Sequence, residues 1–183
     1  MTFGNDQHVE LDDTDLSILG LLQDDCRIPL TRIGEAVGLS APAVLERIKK
    51  LEAAGVITGY RALLDGRRLG LDITAFIGVI VSHPKLIDAF EAQVKELDDV
   101  LECHHVTGGY TLLLKVKTEN TSSLEQLISE IRALDGVART ETMVVLSTHT
   151  ERVQLHLNRG GHPAPAGKRS RRNGERSTQL KRA

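Results

Sequence analysis

The chain has 183 residues, 40% of them hydrophobic, which suffices for one ordinary domain or two small ones with real cores. Aromatic residues are only 3%, with no Trp, which argues against recognition of single strands on a platform of stacked bases and directs any nucleic-acid role toward double-stranded DNA. The formal net charge of −2 conceals a split: residues 151–183 carry nine Lys/Arg against two Asp/Glu, a surplus of +7, whereas residues 1–150 stand at −9.

A short polar segment, residues 1–10, reads as a flexible leader. It lacks a basic start followed by an apolar run, and no apolar stretch approaches the roughly 20 residues that span a bilayer, so a cytoplasmic protein with no membrane contact is expected. Next, Leu16, Leu19 and Leu22 recur at helical spacing with Ile18 beside them, and Asp12, Asp13 and Asp15 crowd the start, where carboxylates complement the helix dipole. This predicts a helix over about 14–24. A second, shorter helix follows Pro29, with Leu30, Ile33 and Val37 on one face and Gly38 as its left-handed terminator. Ser40 then caps a third helix that has Pro42 in its first turn, a stripe of Val44, Ile48 and Leu51 toward the core, and Gly55 at its end. Two helices joined this tightly make a helix-turn-helix.

The face of the third helix opposite its apolar stripe presents Pro42, Glu46, Lys49 and Lys50, with Arg47 on the flank nearer the core. In such motifs the early residues of the second helix approach base edges while cations on phosphates set the register. Ser40, Ala41 and Ala43 are small enough for close approach, and no Asn or Gln offers the bidentate pairing to adenine, so modest base specificity is expected. Arg47 and Lys50 are candidates for phosphate or guanine. A merely solvated helix face is the alternative, but between Arg27 and Arg68 there are eight Lys/Arg and four Asp/Glu, which leaves a positive side available.

A strand is predicted over Gly59–Leu64, completing a winged-type helix-turn-helix domain over 11–65. The charged, Gly-rich joint D-G-R-R-L-G-L-D, residues 65–72, reads as the boundary, with 66–72 as linker. Beyond it, the β-branched run at 73–82 is a strand, His83 and Pro84 break it, and 85–97 carry Leu86, Phe90, Val94 and Leu97 at helical spacing. Val100–Val106 and Tyr110–Lys117 are strands joined through T-G-G as an antiparallel hairpin. Leu124, Leu127, Ile128 and Ile131 mark another helix, and Val137–Ser147 a last strand. The order βαββαβ over 73–150 is the ferredoxin-like plan, so the chain as a whole is α+β. Residues 151–183, rich in Gly, Pro, Arg and Lys without apolar periodicity, read as a disordered basic tail that adds sequence-independent attraction to DNA, or else as a plain solvated terminus.

The two cysteines, Cys26 and Cys103, form no C-x-x-C pair, and buried or half-buried free thiols are expected. No G-x-S-x-G elbow, phosphate loop or H-E-x-x-H motif points to an enzyme, and no cofactor is called for. Metal sensing through Glu102, Cys103, His104, His105 and His149 is a weaker alternative: on a strand Cys103 and His105 share one side, Glu102 and His104 the other, and two ligands per face are too few.

Several ordered segments resemble the leucine-responsive and asparagine-responsive (Lrp/AsnC) regulators: L-D-D-T-D-L-S-I-L at 11–19, V-G-L-S-A-P-A-V-L-E-R-I-K-K-L-E-A-A-G-V-I at 37–57, G-Y-R-A-L-L-D at 59–65, V-L-E-C-H-H-V-T-G at 100–108 and T-E-T-M-V-V-L at 140–146. The resemblance spans about residues 10–149. It implies a DNA-binding transcription regulator whose ferredoxin-like domains pair into homodimers and assemble further, often to octamers, with a small-molecule effector, commonly an amino acid, bound between dimers. It also identifies the hairpin turn Thr107, Gly108, Gly109, Tyr110 and Thr111 as the effector loop. That loop is usually T-G-D-Y-D, so both acidic positions are absent here and a charge-assisted partner for an ammonium group is lost. The alternative for the two glycines is a tight turn alone. A ligand-independent architectural DNA-binding protein, working through oligomers and the basic tail, is the alternative function.

Overall fold

A computed structural model describes residues 9–157, so most of the expected leader and residues 158–183 of the tail lie outside the described residues. The chain divides into two units, one spanning 62–151 and the other formed by the chain on either side of it.

The first unit is three helices. Helix α1, Asp13–Asp24, opens with a reciprocal cap: the Asp12 carboxylate accepts from the Asp15 backbone N–H at 2.7 Å, and the Asp15 carboxylate accepts from the Asp12 N–H at 3.2 Å. Helix α2, Leu30–Val37, ends at Gly38 in the left-handed conformation, φ 72°. Helix α3, Ala41–Ala53, starts at Ser40, whose hydroxyl accepts from the Ala43 N–H. It ends through Gly55, φ 70°, with the Val56 N–H reaching back to the Leu51 carbonyl at 2.9 Å. Ile18, Ile33, Val44 and Ile48 are buried where the three helices meet. Turn and helix limits thus agree with the sequence reading.

The expected strand at Gly59–Leu64 is not formed. The segment is without regular structure, and Leu63 and Leu64 are 79% and 74% exposed. An apolar run specifies willingness to pair, but a strand needs a neighbour's hydrogen-bond ladder, and this segment has none among the described residues. No wing hairpin is therefore present there. The charged joint is also less of a linker than expected. The division between units falls after Arg61, and Gly66–Leu69 is a 3₁₀ turn of the second unit, capped by the Asp65 carboxylate. Gly66 is buried because the Lys117 side chain crosses directly over it.

The second unit follows the predicted plan: β1 Ile73–Val81, α4 Ile87–Val94, β2 Val100–His105, β3 Leu112–Thr118, α5 Thr121–Ala133 and β4 Val137–Val144. The sheet is antiparallel in the order β2-β3-β1-β4. Alternation assigns the faces. Ala75, Ile77 and Val79 of β1 and Leu112, Leu114 and Val116 of β3 point one way and bury Phe90 and Val94 of α4 and Leu124, Leu127 and Ile131 of α5 against them. Helix α4 is shorter than 85–97 because Pro84–Leu86 form a separate 3₁₀ turn and the helix stops at Val94, although Leu97 still packs on the core. Strand β4 ends at Val144, three residues before the expected limit.

Two cysteine expectations are corrected, since Cys26 and Cys103 are both exposed. Cys26 sits in the turn after α1, and Cys103 lies on the edge strand β2, where partial burial followed by the nearby Glu91 carboxylate raises its pKa. No helix among the described residues is long and apolar enough to cross a membrane.

Candidate DNA interface and effector loop

The start of α3 is built for close approach. Ser40 and Pro42 are exposed, Ala41 and Ala43 half-buried, and none carries bulk beyond the cap. Farther along, Glu46, Lys49 and Lys50 are exposed on the same side. Lys50 and Glu46 form an i,i+4 pair at 3.5 Å with both side chains more than two-thirds exposed, a weak association that phosphate can displace. Lys49 has no ion-pair partner among the described residues.

Arg47 is engaged by carboxylates of α1. Its guanidinium Nη1 lies 2.7 Å from the Asp12 carboxylate and 2.8 Å from that of Asp15, with only a third of its side chain exposed. It is half-buried on the flank beside the core stripe, and α1's capping carboxylates hold it before any phosphate does. The Asp12 carboxyl is held below the usual range, first by the Asp15 N–H and then by Arg47, while the Arg47 pKa is raised by the same carboxylates. A depressed carboxyl contributes stability that is full above its unfolded value, about pH 4, and is lost as pH falls through the lower folded value. Arg47→Ala should therefore lower the melting temperature at neutral pH and make the acid-side loss shallower without removing it, because the larger contribution from the Asp15 N–H survives. It should leave the salt dependence of DNA binding unchanged. A melting curve superimposable on wild type from pH 2 to 7 would refute the clamp.

The loop between β2 and β3 has an anchored half and a free half. Thr111 is fixed on β1: its N–H donates to the Val79 carbonyl at 2.8 Å, and its hydroxyl accepts from the Val81 N–H at 3.2 Å. The Tyr110 ring lies over Gly78, so close that a Cβ there would stand 2.6 Å from it. Partial burial, then the Glu141 carboxylate opposite Gly78 on β4, raises the Tyr110 pKa. Thr107, Gly108 and Gly109 form the exposed tip, with Gly108 at φ 117° and open space around Gly109. The five residues assigned to the loop are thus contiguous, but Tyr110 faces the sheet. The sequence carried a signal for this, since a glycine inside the β-branched run of β1 marks a close approach.

Among the described residues no helix packs on the sheet face turned away from α4 and α5. Phe76 and Ile80 of β1, Leu113 of β3 and Met143 of β4 lie on it, with Phe76 directly opposite Met143. On the same face Lys115 bridges Glu102 at 3.2 Å and Glu151 at 2.6 Å, and His104 approaches Glu102 at 3.1 Å. Cys103 pairs opposite Leu114 and so lies on the helix-covered face. Among the described residues no three His, Cys, Asp or Glu side chains gather to hold a metal ion.

Residues 11–52 match the AsnC-type helix-turn-helix domain, and residues 74–155 match the Lrp/AsnC ligand binding domain. The leucine-responsive regulatory protein of Rhizobium meliloti is 40% identical over 152 residues, covering 81% of this chain and 97% of its own length. Among solved structures, Escherichia coli AsnC superposes with a TM-score of 0.76 at 31% identity, over 80% of this chain and 99% of that one. A transcriptional regulator of Neisseria meningitidis in complex with L-methionine does so with a TM-score of 0.78 at 30% identity, over 81% and 98%. Helix-turn-helix, ferredoxin-like sheet and matched relatives agree that this chain belongs to the Lrp/AsnC family of DNA-binding transcription regulators and is not an enzyme.

Proposed function

We propose that this regulator reads duplex DNA with the start of α3 and answers to an amino acid held at the Thr107–Thr111 loop, acting in the cytoplasm as a homodimer that assembles further, up to an octamer. The observation that carries the DNA reading is the small-residue start of α3, Ser40 to Ala43, with Ser40 and Pro42 exposed, followed on one side by the exposed cations Lys49 and Lys50, of which Lys50 is held only by a weak pair with Glu46. The sheet face on which no described helix packs supports pairing of two chains, because a partly exposed apolar patch with Phe76, Ile80, Leu113 and Met143 is costly to leave in water. Amino-acid sensing is supported by the ligand-binding domain and by the methionine complex of the Neisseria regulator.

Lys49→Ala with Lys50→Ala should lower the log–log salt slope of operator binding by about 1.8, at about 0.9 per lost phosphate contact, with melting unchanged. An unchanged slope in the folded double variant would reject these two residues as phosphate contacts. The missing loop carboxylates keep a second reading open, a ligand-independent architectural protein. A thermal-shift screen of amino acids separates the two, since a ligand at about 100 times its dissociation constant stabilises the fold by about 2.7 kcal/mol. Absence of any shift would favour architecture.

A further inference from the structure

We propose that the groove between α1 and α2 is a peptide-binding clamp built on Gln23, that its resident occupant is this chain's own residues 154–157, and that the DNA-reading unit is complete only while this strap is seated. The link to DNA rests on the reading role of α3. The strap belongs by contact to the first unit, although it follows the sheet in sequence. Half-buried Gln23 grips main chain: its Oε1 accepts from the Leu155 N–H at 2.7 Å, and its Nε2 donates to the Leu155 carbonyl at 3.2 Å. One carboxamide thus satisfies both main-chain groups of one residue, as a neighbouring strand would. In return, Gln154 Nε2 donates to the Gln23 carbonyl and to Asp24 Oδ1, each at 3.1 Å. That carbonyl lies in the last turn of α1, where carbonyls lack a helical donor, so Gln154 supplies a C-terminal cap. Beside the clamp, half-buried Leu157 lines a groove of about 520 Å³ with Leu16, Gly20, Leu21 and Val37, and the missing side chain at Gly20 leaves room there.

The seat lies at the ends of two helices. Gln23 and Asp24 close α1, and Val37, the last residue of α2, precedes Gly38, the left-handed residue of the turn into α3. Leu21 and Val37 also pack on the buried cluster of Ile18, Ile33, Val44 and Ile48. The strap therefore braces, from outside, the helix ends against which α3 is set. Its hold is shallow, because Gln154 and Leu155 are exposed and only Leu157 is half-buried. Surface hydrogen bonds and one apolar side chain are set against the ordering of four residues, a balance that keeps the strap seated but releasable. The part that completes the reading unit thus comes from chain beyond the sheet domain.

The test follows the melting of the reading unit by calorimetry in the full chain, the chain ended after Leu157 and the chain ended after Glu151, each with and without Gln23→Ala. Removing the strap should lower that transition by about 4 °C or more and leave the sheet domain's transition in place. The temperature at which duplex binding disappears should fall with it. Gln23→Ala should reproduce the loss in the two chains that keep the strap and add nothing in the one that lacks it. A strap at an effective concentration of about 1 mM, seated about ten to one, implies a dissociation constant of about 0.1 mM for the same segment supplied free. A peptide of residues 152–157, R-V-Q-L-H-L, at about 1 mM should therefore restore most of the stability lost by the chain ended after Glu151. Unchanged melting without the strap, a loss already complete in the chain ended after Leu157, equal effects of Gln23→Ala in every background, or no restoration by the peptide would each overturn the proposal. A full chain that binds no duplex would instead fail the reading role of α3, with the melting and peptide measurements still deciding the clamp.

Discussion

Gly34→Ala should destabilise the DNA-reading unit while the sheet domain remains intact. Gly34 lies in α2, and its carbonyl accepts from the N–H groups of both Gly38 and Leu39, so the turn between α2 and α3 wraps directly around it. A Cβ at Gly34 would collide with the Leu39 carbonyl, which is backbone and cannot swing aside as a side chain would. Relief requires opening the turn, and the turn sets the spacing of α2 and α3. Overpacking of this kind costs about 1–3 kcal/mol. The unit has little to set against it, since among the described residues its buried hydrophobic side chains are Ile18, Leu19, Ile33, Val44, Ile48 and Leu51. Calorimetry should show the transition of the reading unit falling by about 4–8 °C for each kcal/mol lost, with the sheet domain's transition unmoved. DNA binding should disappear above the lowered midpoint. A variant that melts like wild type would show that the turn has slack, which the observed packing denies.

The elements set by local chemistry were legible in the sequence. Ser40 with Pro42 located the start of α3, Gly38 the end of α2 and Gly55 the end of α3, and period-two alternation separated the two faces of β1 and β3. What escaped notice depends on pairings between distant positions. Arg47 reads as a surface cation until Asp12 and Asp15, 35 and 32 residues away, are seen beside it. Gln154 and Leu155 look like tail because glutamine capping of main chain has no periodicity, and their partner Gln23 lies 131 residues or more upstream. The segment 59–64 failed for the opposite reason: strand composition is present and the described residues include no ladder partner for it. Glycines with hidden neighbours, Gly34 and Gly78, were the remaining omissions, and each stands in an element whose propensity argues against glycine.

Gly78→Ala should uncouple the effector loop from the sheet, a larger effect than any substitution at the loop's tip. Strand β1 is held by ladders to β3 on one side and β4 on the other, so it cannot yield to the added methyl. The Tyr110 ring must leave instead, since three of its atoms would stand 2.6–2.7 Å from the new Cβ. Thr111, anchored to Val79 and Val81, confines the displacement to residues 107–110. If those residues hold an effector at an interface between dimers, coupling of the usual size, about 1–3 kcal/mol, disappears, which is a loss of about 5- to 150-fold in the mutual effect of ligand and DNA. Gly109→Trp provides the complementary test: the new side chain meets open space within its own chain, so the fold should be preserved while bulk is placed where a second dimer would approach. Light scattering should report a changed state of assembly for both variants, and calorimetry a weakened response to whichever amino acid the thermal screen identifies. Tyr110→Ala should behave like Gly78→Ala, and the pair together should do no more than either alone, because both act through the seating of one ring. Wild-type assembly and wild-type ligand binding in Gly78→Ala and Gly109→Trp alike would remove the effector site from this loop.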